Sequence, residues 1–108
     1  LKELSINDNY FQIISKDFLQ SLPRLLEKLL IAGNYIVTLG YFDQEIDLGE
    51  CMPHLQAMNL SRNKHLSRIN PRIFDSCQHK LSCDVRELNL DLDNLRELRS
   101  LQNVHFIE

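Results

Sequence analysis

The chain has 108 residues, a formal net charge of −3, 44% hydrophobic and 25% charged residues. That length bounds it to one domain at most, and that apolar content excludes a disordered polar chain. No apolar run reaches the ~20 residues a bilayer-spanning helix needs, and no Lys/Arg run supplies the basic stripe of a nucleic-acid binder.

The first segment reads Leu1-x-x-Leu4-x-Ile6-x-x-Asn9-x-Phe11-x-x-Ile14. Its alternation predicts a strand at 3–7 with Leu4 and Ile6 inward. Phe18, Leu19 and Leu22-Pro23 follow on the return path. The second segment reads Leu26-x-x-Leu29-x-Ile31-x-x-Asn34-x-Ile36-x-x-Leu39 and predicts a strand at 28–32. Leu30 cannot turn inward together with Leu29 and Ile31, so it faces out or is covered by a partner. The competing reading, one amphipathic helix over 17–31, places Pro23 inside a helix at a cost of roughly 3 kcal/mol. Gly40–Cys51 then reads as an inserted loop.

The third segment reads Leu55-x-x-Met58-x-Leu60-x-x-Asn63, with Leu66-x-x-Ile69 after one extra residue. It predicts a strand at 57–61, a return through Ile73-Phe74 and Cys77, and a second inserted loop over Gln78–Asp84. A fourth unit, Val85-x-x-Leu88-x-Leu90, predicts a strand at 87–91, with Asp93 where Asn is expected. Leu95, Leu98 and Leu101 suit a short helical return begun by Asp93 or Asn94. Leu101-x-x-Val104-x-Phe106 closes the chain with a strand at 103–107. The units thus start near residues 1, 26, 55, 85 and 101.

The pattern has a physical reading. Stacked units make their strands parallel neighbours, and the inward residues build a core that no unit buries alone. Asn9, Asn34 and Asn63 stand where each strand must turn. A lone Asn there is a plain turn former. Three in equivalent places form an asparagine ladder whose buried amides pair with the backbone of the turn and of the adjacent unit.

The three phased segments match L-x-x-L-x-L-x-x-N-x-L, and the chain resembles the leucine-rich repeat family. The Phe-containing return segments are similar to those of Toll-type receptors and other extracellular leucine-rich proteins. The resemblance implies an α/β fold: a right-handed βα solenoid with a curved parallel sheet and short helical or irregular returns. It implies four to five repeats, a Phe entering the core from the convex side, and a fragment of a longer array. It also implies a concave face that recognises a protein ligand or co-receptor in innate immune, developmental or adhesive signalling. The alternative is an intracellular leucine-rich scaffold or ubiquitin-ligase substrate adaptor, and a third is a structural spacer. No nucleic-acid partner, cofactor or metal is implied, and any membrane attachment lies in segments outside this chain.

The outward residues of the strand wall are the candidate partner-binding set: Ser5, Asn7, Lys28, Leu30, Asn59, Arg62, Arg86, Asn89 and His105. Ser5, Leu30, Asn59, Asn89 and His105 read as one lateral row. Each taken singly is also ordinary solvated surface. Arg62, Lys64, His65, Arg68 and Arg72 form a basic cluster that reads as solvated surface as well. Asn59-Leu60-Ser61 is a glycosylation sequon, which with the Phe returns points to an extracellular or cell-surface glycoprotein. The cytoplasmic alternative leaves Asn59 bare. Cys77 and Cys83 can close the second loop as a disulfide, leaving Cys51 odd. Alternatively, all three cysteines stay reduced. No G-x-S-x-G, phosphate loop or H-E-x-x-H is present, so the expectation is a binding protein and not an enzyme.

Overall fold

Alternating inward and outward side chains over short apolar stretches recur along the chain, and in the computed structural model they pair as neighbours. The structure describes residues 1–41 and 45–108. Strands β1 (Glu3–Ser5), β2 (Lys28–Leu30), β4 (Ala57–Asn59), β6 (Leu81–Asp84) and β7 (Val104–Ile107) form one five-stranded sheet in chain order. Every pairing in it is parallel. Parallel neighbours require a return connection for each strand. Those returns carry α1 (Lys16–Ser21), α2 (Leu48–Cys51), a 3₁₀ turn at Pro71–Phe74 and α3 (Leu92–Arg99). Strands β3 (Thr38–Leu39) and β5 (Arg68–Ile69) pair in parallel as a second, two-stranded sheet within the returns.

The core lies between the sheet and the returns. Leu29, Ile31, Met58, Leu60 and Cys83 enter it from the sheet side, and Leu19, Ile36, Leu39, Leu48, Ile69 and Phe74 from the returns. Phe74 is fully buried and meets Phe106 edge-on at 5.7 Å. Phe18 is only half-buried and packs on Phe11 at the same centroid distance. The helix starts are capped by side chains that satisfy free N–H groups. Ser15 accepts from the Phe18 N–H, Asp47 from Gly49 and Glu50, and Asp91 from Asn94.

The register corrects part of the sequence reading. Leu4, Leu29, Met58, Cys83 and Phe106 stand opposite one another, at successive spacings of 25, 29, 25 and 23 residues. The fourth unit therefore begins at Lys80 and the fifth at Asn103, not at Val85 and Leu101. The stretch expected as a loop, 78–84, contains β6, and 87–91 is not a strand. The backbone itself marks the period. Among the described residues, Asp8, Arg62 and Glu87 are the non-glycine residues with positive φ, at 57°, 58° and 57°, and Gly33 lies at 67°. All four hold the same place, four residues after the sheet partners Leu4, Leu29, Met58 and Cys83. Each strand thus turns out of the sheet through the same left-handed residue.

The long spacing belongs to the second unit and includes α2 and the segment expected as an insert. The middle of that insert, 42–44, lies outside the described residues. The chain over 17–31 is not one helix: α1 ends at Ser21, before Pro23, and β2 follows. α3 is helical as expected, but its cap is Asp91 and not Asp93 or Asn94.

Candidate functional site

The ladder asparagines position the strand ends. Asn34 is buried, and its Nδ2 donates to the carbonyls of Ile6, Ile31 and Ala32 at 3.1–3.2 Å. Its Oδ1 accepts the Phe11 N–H at 3.1 Å. Asn63 repeats this one unit on. Its Nδ2 donates to the Ile31, Leu60 and Ser61 carbonyls, and its Oδ1 accepts the Ile36 N–H. Each amide thereby ties its own turn to the unit before it. Asn9 sits at the first turn and is exposed, bonding only to Ile6 and Asn7 of its own unit. In the fourth unit Leu88 takes the ladder place. A different amide then serves the second sheet. Asn94, buried on α3, donates to the Ile69 carbonyl and accepts the Ile69 N–H, both at 2.7 Å, so it closes the edge of β5 as a strand would. Among the described residues no buried side-chain nitrogen or oxygen lacks a hydrogen bond.

The open face of the five-stranded sheet presents two lateral rows. One runs Glu3, Lys28, Ala57, Ser82 and His105, and the other Ser5, Leu30, Asn59, Asp84 and Ile107. Ser5, Leu30 and Asn59 share a row as expected, and Leu30 is half-buried in it. His105 belongs instead to the row of Lys28, and both are exposed. Asn89 is not on this face. Its N–H donates to the Leu66 carbonyl and that of Asp91 to Ser67, which places the segment beside the return of the third unit. The error follows from the displaced fourth strand. The same displacement hid Ser82 and Asp84, which stand beside Ala57 and Asn59 at a spacing of 25. The alternation Leu81-x-Cys83-x-Val85 was the available signal for that strand.

Three more expected site residues take structural duties. The Asn7 Oδ1 accepts the Ala32 N–H at 2.7 Å, fastening the first turn to the second. Arg62 reaches back two units to Asp8, Nη1 to Oδ1 at 2.9 Å, directly over Gly33. A Cβ on Gly33 would lie 2.2 Å from Asp8 Oδ1 and 3.0 Å from Arg62 Nη1, so glycine serves both the positive φ and the ion pair above it. Arg86 is clamped on Asp84, Nη2 to Oδ2 at 2.7 Å, with Nε near both oxygens. Those bonds hold the Asp84 carboxyl below its ordinary range, against the opposing effect of burial. The Lys2–Glu27 contact at 3.7 Å is exposed and contributes little.

Asn59 is half-buried on the central strand, and its Oδ1 accepts the Ser61 N–H at 2.9 Å. A glycan there would cover the middle of the open face, so the glycosylation and partner-binding roles expected of this residue exclude each other. Cys51, Cys77 and Cys83 are free thiols, and Cys83 is fully buried on β6 rather than in a loop. Burial raises all three thiol pKa values, that of Cys77 to about 11, with the Asp47 carboxylate adding to the effect at Cys51 and Cys77. Among the described residues no three His, Cys, Asp or Glu side chains converge as a metal site. Among the described residues no helix is long and apolar enough to cross a membrane. The chain matches no model of a known family, no curated protein and no solved structure.

Proposed function

We propose that the chain is a leucine-rich repeat solenoid segment whose open sheet face recognises a protein ligand. The observation that carries this reading is the recurrence of one turn. Four successive units leave the sheet through a left-handed residue at the same place, and two of them lock that turn to the previous unit with a buried Asn. Such ties stiffen the scaffold, and its outward rows vary in charge and polarity from strand to strand. That combination suits recognition of a folded surface more than catalysis. The reading places ligand contact on Lys28, Ser82 and His105 in one row and on Ser5, Leu30 and Asn59 in the next. An extracellular receptor or adhesion protein is the setting that the Phe-containing returns favour.

Photo-crosslinking tests the face. A photoreactive residue at Lys28 or His105 is expected to capture a partner in cells, while one at Arg72 or Glu97 is not. Adducts formed only from the return-side positions refute the reading. One observation favours a second reading, an intracellular scaffold or ubiquitin-ligase adaptor: all three thiols are unpaired, which is usual where the cell keeps cysteines reduced. Mass spectrometry of Asn59 in the expressed protein separates the two settings, since a glycan on it forms only along the secretory route.

A further inference from the structure

The residues that follow the ladder asparagines line one edge of the fold, and they differ from the sheet face in kind. They are Tyr10, Tyr35 and Lys64, and all three are exposed. Tyr10 and Tyr35 stack with centroids 5.7 Å apart and planes within 4°. Tyr10 keeps 82% and Tyr35 46% of its surface in solvent. Stacked aromatic rings held by adjacent backbones form a pre-ordered apolar platform, the kind of anchor on which interface energy concentrates. The Tyr35 N–H donates to the Phe11 carbonyl, which fixes the spacing of the two rings. Val37, two residues beyond Tyr35 and across the buried Ile36, extends the apolar surface at 51% exposure.

Beside the platform lies a cavity of about 310 Å³ lined by Asp8, Gly33, Asn34, Tyr35, Arg62, Lys64 and His65. Its charges do not balance. Asp8 is its one carboxylate and is already engaged by Arg62. No carboxylate among the described residues pairs with Lys64. The cavity is therefore net positive in a chain whose net charge is −3. An acidic partner is repelled by the molecule as a whole and attracted here, which orients it on approach.

We propose that this edge binds an acidic segment of a partner protein. A carboxylate enters the cavity beside Lys64 and His65, and a neighbouring apolar side chain lies on the Tyr10–Tyr35 platform. The Asp8–Arg62 pair and Gly33 form the floor: the pair neutralises the cavity's own carboxylate, and the missing Cβ of Gly33 leaves room for that pair. This surface is separate from the sheet face of the proposed function and stands or falls independently of it.

The test selects a phage-displayed random peptide library on the immobilised full chain. Enriched peptides are expected to carry Asp or Glu next to an aliphatic or aromatic residue. Lys64→Glu and Tyr35→Ala should each weaken a synthesised winner about tenfold or more, and Lys28→Glu on the sheet face should not. Both edge positions are exposed, and circular dichroism checks their folding. A charge swap guards against a trivial loss: Lys64→Glu should gain affinity for the same peptide with its acidic residue changed to Lys. Enrichment of peptides without acidic residues, loss of binding by Lys28→Glu in place of Lys64→Glu, failure of the charge swap, or no enrichment at all overturns the proposal.

Discussion

Asn9 and Asn34 occupy the same place in successive units, yet replacing them with alanine should have unequal effects. The Asn34 carboxamide makes four hydrogen bonds. Three of its partners have a second bond. Ile6 O also accepts from Asn9, Ile31 O from Asn63, and Ala32 O from the Asp8 N–H. The Phe11 N–H is held by Asn34 Oδ1. Asn34→Ala leaves that donor stranded, which costs about 1–3 kcal/mol, and it weakens three shared acceptors by less. A total of about 3 kcal/mol is expected. Asn9 is exposed and bonds only within its own turn, so Asn9→Ala should stay within about 0.5 kcal/mol. In urea, with a slope near ~1.5 kcal/mol per molar, the Asn34 variant should lose about 2 M in its midpoint and the Asn9 variant almost nothing. Asn34→Asp is a sharper control, since it keeps the acceptor for Phe11 but turns a carboxylate toward three carbonyls, and it should not rescue stability. Equal midpoints for Asn9→Ala and Asn34→Ala refute the inter-unit ladder.

Gly33→Ala meets both a positive φ and the Asp8–Arg62 pair, and should destabilise by about 1–2 kcal/mol. Adding Asp8→Ala removes the clash but not the φ strain, so a thermal-melt double-mutant cycle should show partial recovery. Full additivity of the two losses refutes the steric account. Asp84 has a folded-state pKa held below its unfolded value by Arg86. It therefore adds stability that is complete above the unfolded value of about 3.9 and is lost as pH falls through the folded one. Asp84→Asn should flatten the acid limb of the stability curve, and an unchanged limb measured by urea melts in acid would contradict this. The raised-pKa thiols, buried at Cys51 and Cys83 and half-buried at Cys77, should resist alkylation at neutral pH in the native protein and react fully once unfolded, with Cys83 the last to be labelled by mass spectrometry. Fast native labelling of Cys83 would place it outside the core.

The first three strands and the place of each turn were legible in the chain because apolar alternation and a following Asn recur there in phase. A short parallel strand can hide only one side, and the residue after it must satisfy backbone that no strand partner reaches. Those two demands write themselves into local spacing. The fourth strand was not legible, for the same physics in reverse. Lys80 stands at the leading place, Cys83 replaces the inward Leu or Met, and Leu88 replaces Asn, so only Val85 and Leu90 keep the expected apolar character. The stretch Val85, Leu88 and Leu90 imitates the pattern because those residues also pack toward the core, from the turn and the return. What places β6 is the backbone of its neighbours. Gln56 and Asn103 carbonyls accept the Ser82 and Leu81 N–H groups, and that pairing depends on where β4 and β7 already lie. The sheet face inherited the same split. Ser5, Leu30 and Asn59 could be aligned from spacing alone, but Asp84 for Asn89, and His105 beside Lys28, required the register. Periodicity sets Tyr10 and Tyr35 at equivalent places 25 apart, but only docking one turn on the next through Asn34 brings their rings face to face.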